Sequence, residues 1–146
     1  MNVRFFLLLS VLFATIALSG NAGKALAQTS PPAVADYGYV TKVPVAAPAD
    51  PSMPQILEID MNSQQLNAPG PLAIRVLTST NVSAVYIHVE GQTFSVPLTE
   101  NGRFELTTTL PTIPSAMKGR NYSFDFEAVT ADQKRTHTGV PVFLAP

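Results

Sequence analysis

The residues in this chain best suited to do chemistry lie in "NYSFDFEAVTADQKRTH", Asn121 to His137, where Asp125 and Glu127 stand two apart and His137 follows. On an extended strand such neighbours share a face, with Cα atoms roughly 6–7 Å apart. That overlaps the carboxyl separations of glycoside hydrolases. Acid–base work, however, needs two carboxyls in unlike surroundings, so that one keeps its proton while the other loses it. Neighbours on an open sheet face share one solvent, so the expectation is a hydrated strand face and no catalytic residue. A second stretch, "AVYIHVEG", offers Tyr86, His88 and Glu90 by the same alternation. Were the two stretches adjacent, two imidazoles and a carboxylate would make a set fit for zinc or copper. A one-residue change of register would turn His137 to the other face. The favoured expectation is a cross-strand polar network, with Lys134 or Arg135 pairing to the acids. Tyr86, His88, Glu90, Asp125, Glu127 and His137 are therefore candidate binding residues, with no metal and no cofactor expected.

Other chemistries lack their parts. The chain has no cysteine, which removes thiol nucleophiles, thiolate metal sites and disulfides. No serine sits in a nucleophile elbow with a matched base, and no glycine-rich phosphate loop is present.

The elements that must position the candidates are legible as alternation. "LEIDM" sets Leu57, Ile59 and Met61 against Glu58 and Asp60, and "PLAIRVLT" sets Leu72, Ile74 and Val76 against Ala73 and Arg75. "AVYIHVEG" sets Val85, Ile87 and Val89 inward, and "TFSVPL" does the same with Phe94, Val96 and Leu98. "RFELTTTL", "YSFDFEA" and "GVPVFL" complete the series, with Phe104, Leu106 and Leu110, then Tyr122, Phe124, Phe126 and Ala128, then Val140, Val142 and Leu144 facing in. Period-two patterns of this kind predict half-buried strands. About seven of them between turn residues predict an all-β, antiparallel sandwich. Asn101-Gly102 is the strongest hairpin signal. Pro97 and Pro141 each lack a backbone donor, so their strands are expected at sheet edges.

Upstream, the chain changes character twice. Residues 1–27 run from Arg4 through an apolar stretch, Phe5 to Leu18, to "ALA" before Gln28. This is the order of a secretory signal peptide. Its apolar run of roughly 14 residues is shorter than the roughly 20 that span a bilayer, so no stable membrane span is expected after cleavage. Residues 28–54 hold six of the thirteen prolines and are expected as an extended, semi-rigid leader. Residues 55–146 are the expected domain. Two of the nine basic side chains, Arg4 and Lys24, belong to the signal, which leaves seven against ten acids beyond it. A net charge near -3 without basic blocks gives no footprint for nucleic acid.

At "LPTIPSAMKGRNYSFDFEAVTADQ" the sequence resembles the E-to-F corner of immunoglobulin-like and fibronectin type III-like domains. In that family a tyrosine near the start of strand F returns its hydroxyl to upstream backbone. Tyr122 is the matching position, after the turn residue Gly119, and Phe124 stands where antibody domains carry a cysteine. Phe124 and Phe126 are the expected core residues of that strand. The resemblance implies that the third, sixth and seventh strands are adjacent. It implies architecture and no function. The expected protein is an exported, non-catalytic immunoglobulin-like module, periplasmic, cell-surface or secreted, that contacts an envelope or extracellular protein or serves as a spacer. The alternative is a ligand-binding module, for glycan or metal, on the face of those three strands.

Overall fold

The computed structural model describes residue 38, residues 41–46 and residues 50–146; the expected signal peptide and most of the leader lie outside the described residues. Among the described residues there are ten strands: β1 (Thr41–Pro44), β2 (Ile56–Met61), β3 (Gln65–Leu66), β4 (Gly70–Thr78), β5 (Val82–Val89), β6 (Gln92–Val96), β7 (Leu98–Glu100), β8 (Arg103–Leu110), β9 (Arg120–Thr130) and β10 (Arg135–Leu144). They build an all-β fold of two five-stranded sheets, β1-β2-β4-β8-β7 and β3-β10-β9-β5-β6. Neighbouring strands are antiparallel except β3, which runs parallel to β10. Among the described residues no helix is long and apolar enough to cross a membrane.

The core follows the alternation. Ile59, Met61, Ile74, Val76 and Phe104 are buried in the first sheet, and Val85, Ile87, Phe126, Ala128 and Val140 in the second. Each such side chain contributes roughly 1.5–3 kcal/mol on burial, set against a backbone and rotamer ordering cost of comparable total size.

Four features depart from the simple pattern, each for a local reason. First, a register shift between Ile56 and Glu58 places Ile56 inside and leaves Leu57 47% exposed, so the inward set of "LEIDM" begins one residue early. Second, "TFSVPL" is not one strand. The chain breaks at Pro97 and passes from the second sheet to the first, which leaves Leu98 57% exposed in the edge strand β7. Third, Thr41–Pro44 of the expected leader is built into the first sheet as β1, and Pro54 is fully buried. Fourth, β10 is not an open edge along its whole length, because β3 covers it at Phe143 and Leu144. Phe143 N–H is directed at Gln64 C=O, away from β9. Pro141 has the same parity, so its missing donor falls on that outer side and costs no bond to β9.

The turns carry the register. Glu90 and Gly91 both have positive φ, +48° and +77°, as a two-residue hairpin of the type I′ class requires. Asn101-Gly102 also joins two strands, but only Gly102 has positive φ. Gly119, at φ +68°, opens β9 and donates its N–H to Leu144 C=O at 2.7 Å. Tyr122 Oη donates to the carbonyl of Met117 at 2.8 Å.

Candidate functional site

The candidates meet on the outer face of the second sheet because three strands are adjacent and in one register. β5 pairs with β9 so that Tyr86 stands opposite Glu127 and His88 opposite Asp125. On the other side, β10 sets His137 opposite Glu127 and Gly139 opposite Asp125. From its position the His137 ring reaches diagonally to Asp125. One slip of β10 would have removed His137 from this face.

Glu127 is the centre. His88 Nε2 lies 2.9 Å from its Oε2, and Arg135 Nη1 lies 2.8 Å from its Oε1. His137 Nε2 stands 3.6 Å from the same Oε1, while its Nδ1 is 3.0 Å from Asp125 Oδ2. The two imidazole rings lie 6.2 Å apart, centroid to centroid. A carboxylate only accepts, so His88 donates through Nε2, while its Nδ1 lies 2.8 Å from Thr93 Oγ1.

This arrangement corrects the expectation of a uniformly hydrated strand face. Asp125 is 42% exposed in its side chain, but Glu127 is only 5% exposed, under one layer of His88, Arg135 and His137. The layer is thin, and its effect on proton affinity is mixed. Burial pushes the Glu127 carboxyl up. The hydrogen bonds from His88 and Arg135, with the charges of Arg135 and His137, pull it further down, and the net direction is below the usual glutamate range.

Not every candidate joins. Glu90 leaves the strand for the β5–β6 turn, where its positive φ places it, and none of the cluster's hydrogen bonds involves it. Lys134 turns away to Ser52 Oγ and Asp132; of the two expected cationic partners it is Arg135 that engages. Sequence reasoning missed Thr93, although a signal existed: a two-residue turn at Glu90-Gly91 dictates that Thr93 faces His88. Among the described residues, no group of three or more His, Asp or Glu side chains is arranged to hold one metal ion. A shallow groove lined by Gln64, Gln65, Asn121, Pro141, Val142 and Phe143 lies at the β3 side of the same sheet and shares no residue with the cluster.

Chemically, the cluster is an ordered patch of alternating charge with an aromatic ring, Tyr86, on its border. The paired groups present fixed donors and acceptors. No protein-family model matches the chain, and no curated protein does. Among solved structures it is similar to a DUF4785 family protein from Legionella pneumophila subsp. pneumophila str. Philadelphia 1, at 17% identity and a TM-score of 0.49. The similarity covers 60% of this chain and 28% of that one, so it spans less than a third of the larger protein.

Proposed function

We propose that this chain is an exported, non-catalytic, immunoglobulin-like module that contacts another envelope or extracellular protein through the outer face of β5, β9 and β10, or acts as a spacer beside it. The immunoglobulin-like sandwich is supported by the two strand orders, with the chain crossing between sheets at Pro97. It is supported too by the Tyr122 hydroxyl bonded to backbone five residues upstream. Export rests on the order of residues 1–27.

The observation that carries the contact reading is the state of Glu127. Both its oxygens are engaged, one by His88 and one by Arg135. A general base or acid must be able to reach a substrate proton, and this carboxylate is spent on holding the face together. The same engagement fixes the side chains around it. A partner that docks on a pre-ordered surface avoids roughly 0.5–1.5 kcal/mol of ordering cost for each side chain already held.

The test is capture by the chain beginning at Gln28 from an envelope or culture-medium fraction, with Tyr86→Ala and His137→Ala beside the unaltered protein. The expected result is a captured protein lost with either face variant and retained by Leu57→Ser, which changes the other sheet. Capture indifferent to the face variants, or none by a folded domain, leaves the spacer role.

A further inference from the structure

The two sheets end in four edge strands, β1 and β7 in the first, β3 and β6 in the second. Edge strands are open templates for pairing, and proteins blunt them with charge, proline, bulges or shortness. Three of these four are blunted. β1 holds Lys42 and Pro44 in four residues, β7 is three residues with Glu100 and a register irregularity, and β3 is two residues. β6 is different. Its sequence is Gln92-Thr93-Phe94-Ser95-Val96, five residues without charge or proline, in unbroken register with β5 from Val89↔Gln92 to Val85↔Val96. Among the described residues no strand pairs with its far side.

The turn tells which groups that far side presents. With Glu90 and Gly91 as the two turn residues, Val89 and Gln92 are the closing hydrogen-bonded pair. By alternation, the backbone groups of Gln92, Phe94 and Val96 face β5, and those of Thr93 and Ser95 face outward. Both of these residues are exposed. Gly91 bounds the edge at one end. Pro97 bounds it at the other, with no N–H to offer and its C=O accepting from Glu105 at 2.9 Å.

We infer that the far edge of β6 is a self-association seam, filled by β6 of a second copy running antiparallel about a two-fold axis at Phe94. In that register Thr93 of each copy stands opposite Ser95 of the other as a hydrogen-bonded pair. Each pair exchanges two N–H to C=O bonds, so every outward backbone group of the five-residue strand is used. Thr93 and Ser95 side chains lie next to each other across the seam on the outer face, opposite His88 and Tyr86 in the β5 register. The product is one sheet of ten strands that sets the two Glu127-centred faces side by side. The second copy fits because its strand is neutral, equally short and bounded alike. A seam this small belongs with transient contacts.

The experiment is sedimentation equilibrium on the chain from Gln28, from roughly 10 μM to about 1 mM. The expected result is a weight-average mass climbing from one copy towards two, with concentration-dependent amide shifts at Thr93 and Ser95. The Thr93→Lys/Ser95→Lys variant gives up the exposed Thr93 bond to His88 and sets like charges opposite each other across the axis. It is expected to melt within about 5 °C of the parent and to associate at least tenfold more weakly. Ser95→Pro, which removes an outward donor and keeps the bonds to β5, is expected to behave likewise. A single-copy mass at every concentration overturns the inference, as does association that the two-lysine variant retains. Either outcome is read on the chain alone, whereas the capture experiment varies Tyr86 on β5 and His137 on β10 and leaves the β6 edge unchanged.

Discussion

Asp60 on β2 and Glu127 on β9 are both buried carboxylates on strand positions that the alternation marks as outward, one in each sheet, and they are satisfied in opposite ways. Glu127 divides its partners, His88 on one oxygen and Arg135 on the other, with His137 close by. Among the described residues Asp60 has one ion-pair partner, Arg75, and it sits on a single oxygen: both Nε and Nη2 of the guanidinium contact Oδ2. Among the same residues its buried Oδ1 meets no hydrogen-bond donor. Glu127 lies beneath groups that reach solvent, since Arg135 is 55% and His137 50% exposed, whereas Asp60 is fully buried beside a mostly buried arginine. Burial alone, then, does not make a site. A shallow carboxylate with several exposed partners builds a presentable surface, and a deep one with one partner builds a cross-strand clamp between β2 and β4.

The strongest test of this contrast removes one partner from each. Arg75→Met leaves a buried charge uncompensated, which costs about 3–5 kcal/mol, read by urea denaturation at neutral pH. The paired change Asp60→Leu/Arg75→Met is expected to recover most of that loss, because apolar residues of similar size replace the ion pair without a stranded charge. A loss under about 1 kcal/mol in Arg75→Met would mean that the clamp behaves as an exposed pair. Glu127→Gln is the milder counterpart. Its carboxamide still accepts from Arg135, and His88 can change tautomer to accept from the new amide, so the expected cost is about 1–3 kcal/mol. A loss as large as that of Arg75→Met would erase the distinction between surface and clamp.

These two carboxylates also mark how far the sequence could be read. The alternation at "YSFDFEA" places Phe124 and Phe126 inside, and both are buried. The adjacency of β5, β9 and β10 was expected from the resemblance, and alternation put His88, Asp125 and Glu127 on outward positions; the facing of His137 hung on the register of β10, which the pattern left open. The burial of Glu127 was not legible, because it depends on three long side chains folding over it from two neighbouring strands. Asp60 was hidden for a similar reason, since alternation assigns a residue to a face and is silent on what covers that face. Leu57 shows a different limit: a single extra residue in β2 shifts the pattern locally, and no turn residue announces it. The split at Pro97 was half visible. Proline marked an edge, but the passage to the other sheet is a tertiary event.

Acid titration probes the shallow carboxylate from another side. The Glu127 carboxyl is held below its ordinary value in the folded chain, so the folded state binds its proton less readily than the unfolded chain does. That stability is fully present above the unfolded glutamate range, near 4.5. It is lost as pH falls through the lower folded value. Unfolding free energy measured from neutral pH downward is therefore expected to fall more steeply in the unaltered protein than in Glu127→Gln over that window. Parallel curves would mean that His88 and Arg135 contribute nothing to the ionised form.

The smallest effect belongs to the partner pair on the same face. His137 and Asp125 are joined at 3.0 Å, yet their side chains are 50% and 42% exposed. Water competes for both groups and salt screens them, so such pairs contribute about 0–1 kcal/mol. Asp125→Asn is expected to shift stability by no more than about 0.5 kcal/mol, a change in melting temperature near the limit of detection. If it instead destabilises as much as Glu127→Gln, the two acids form one cooperative network, and the boundary between the buried centre and its exposed rim must be moved outward to include Asp125. A double-mutant cycle of Asp125→Asn with Glu127→Gln distinguishes the cases directly. Additivity keeps Asp125 on the rim, and a coupling of about 0.5 kcal/mol or more brings it into the centre.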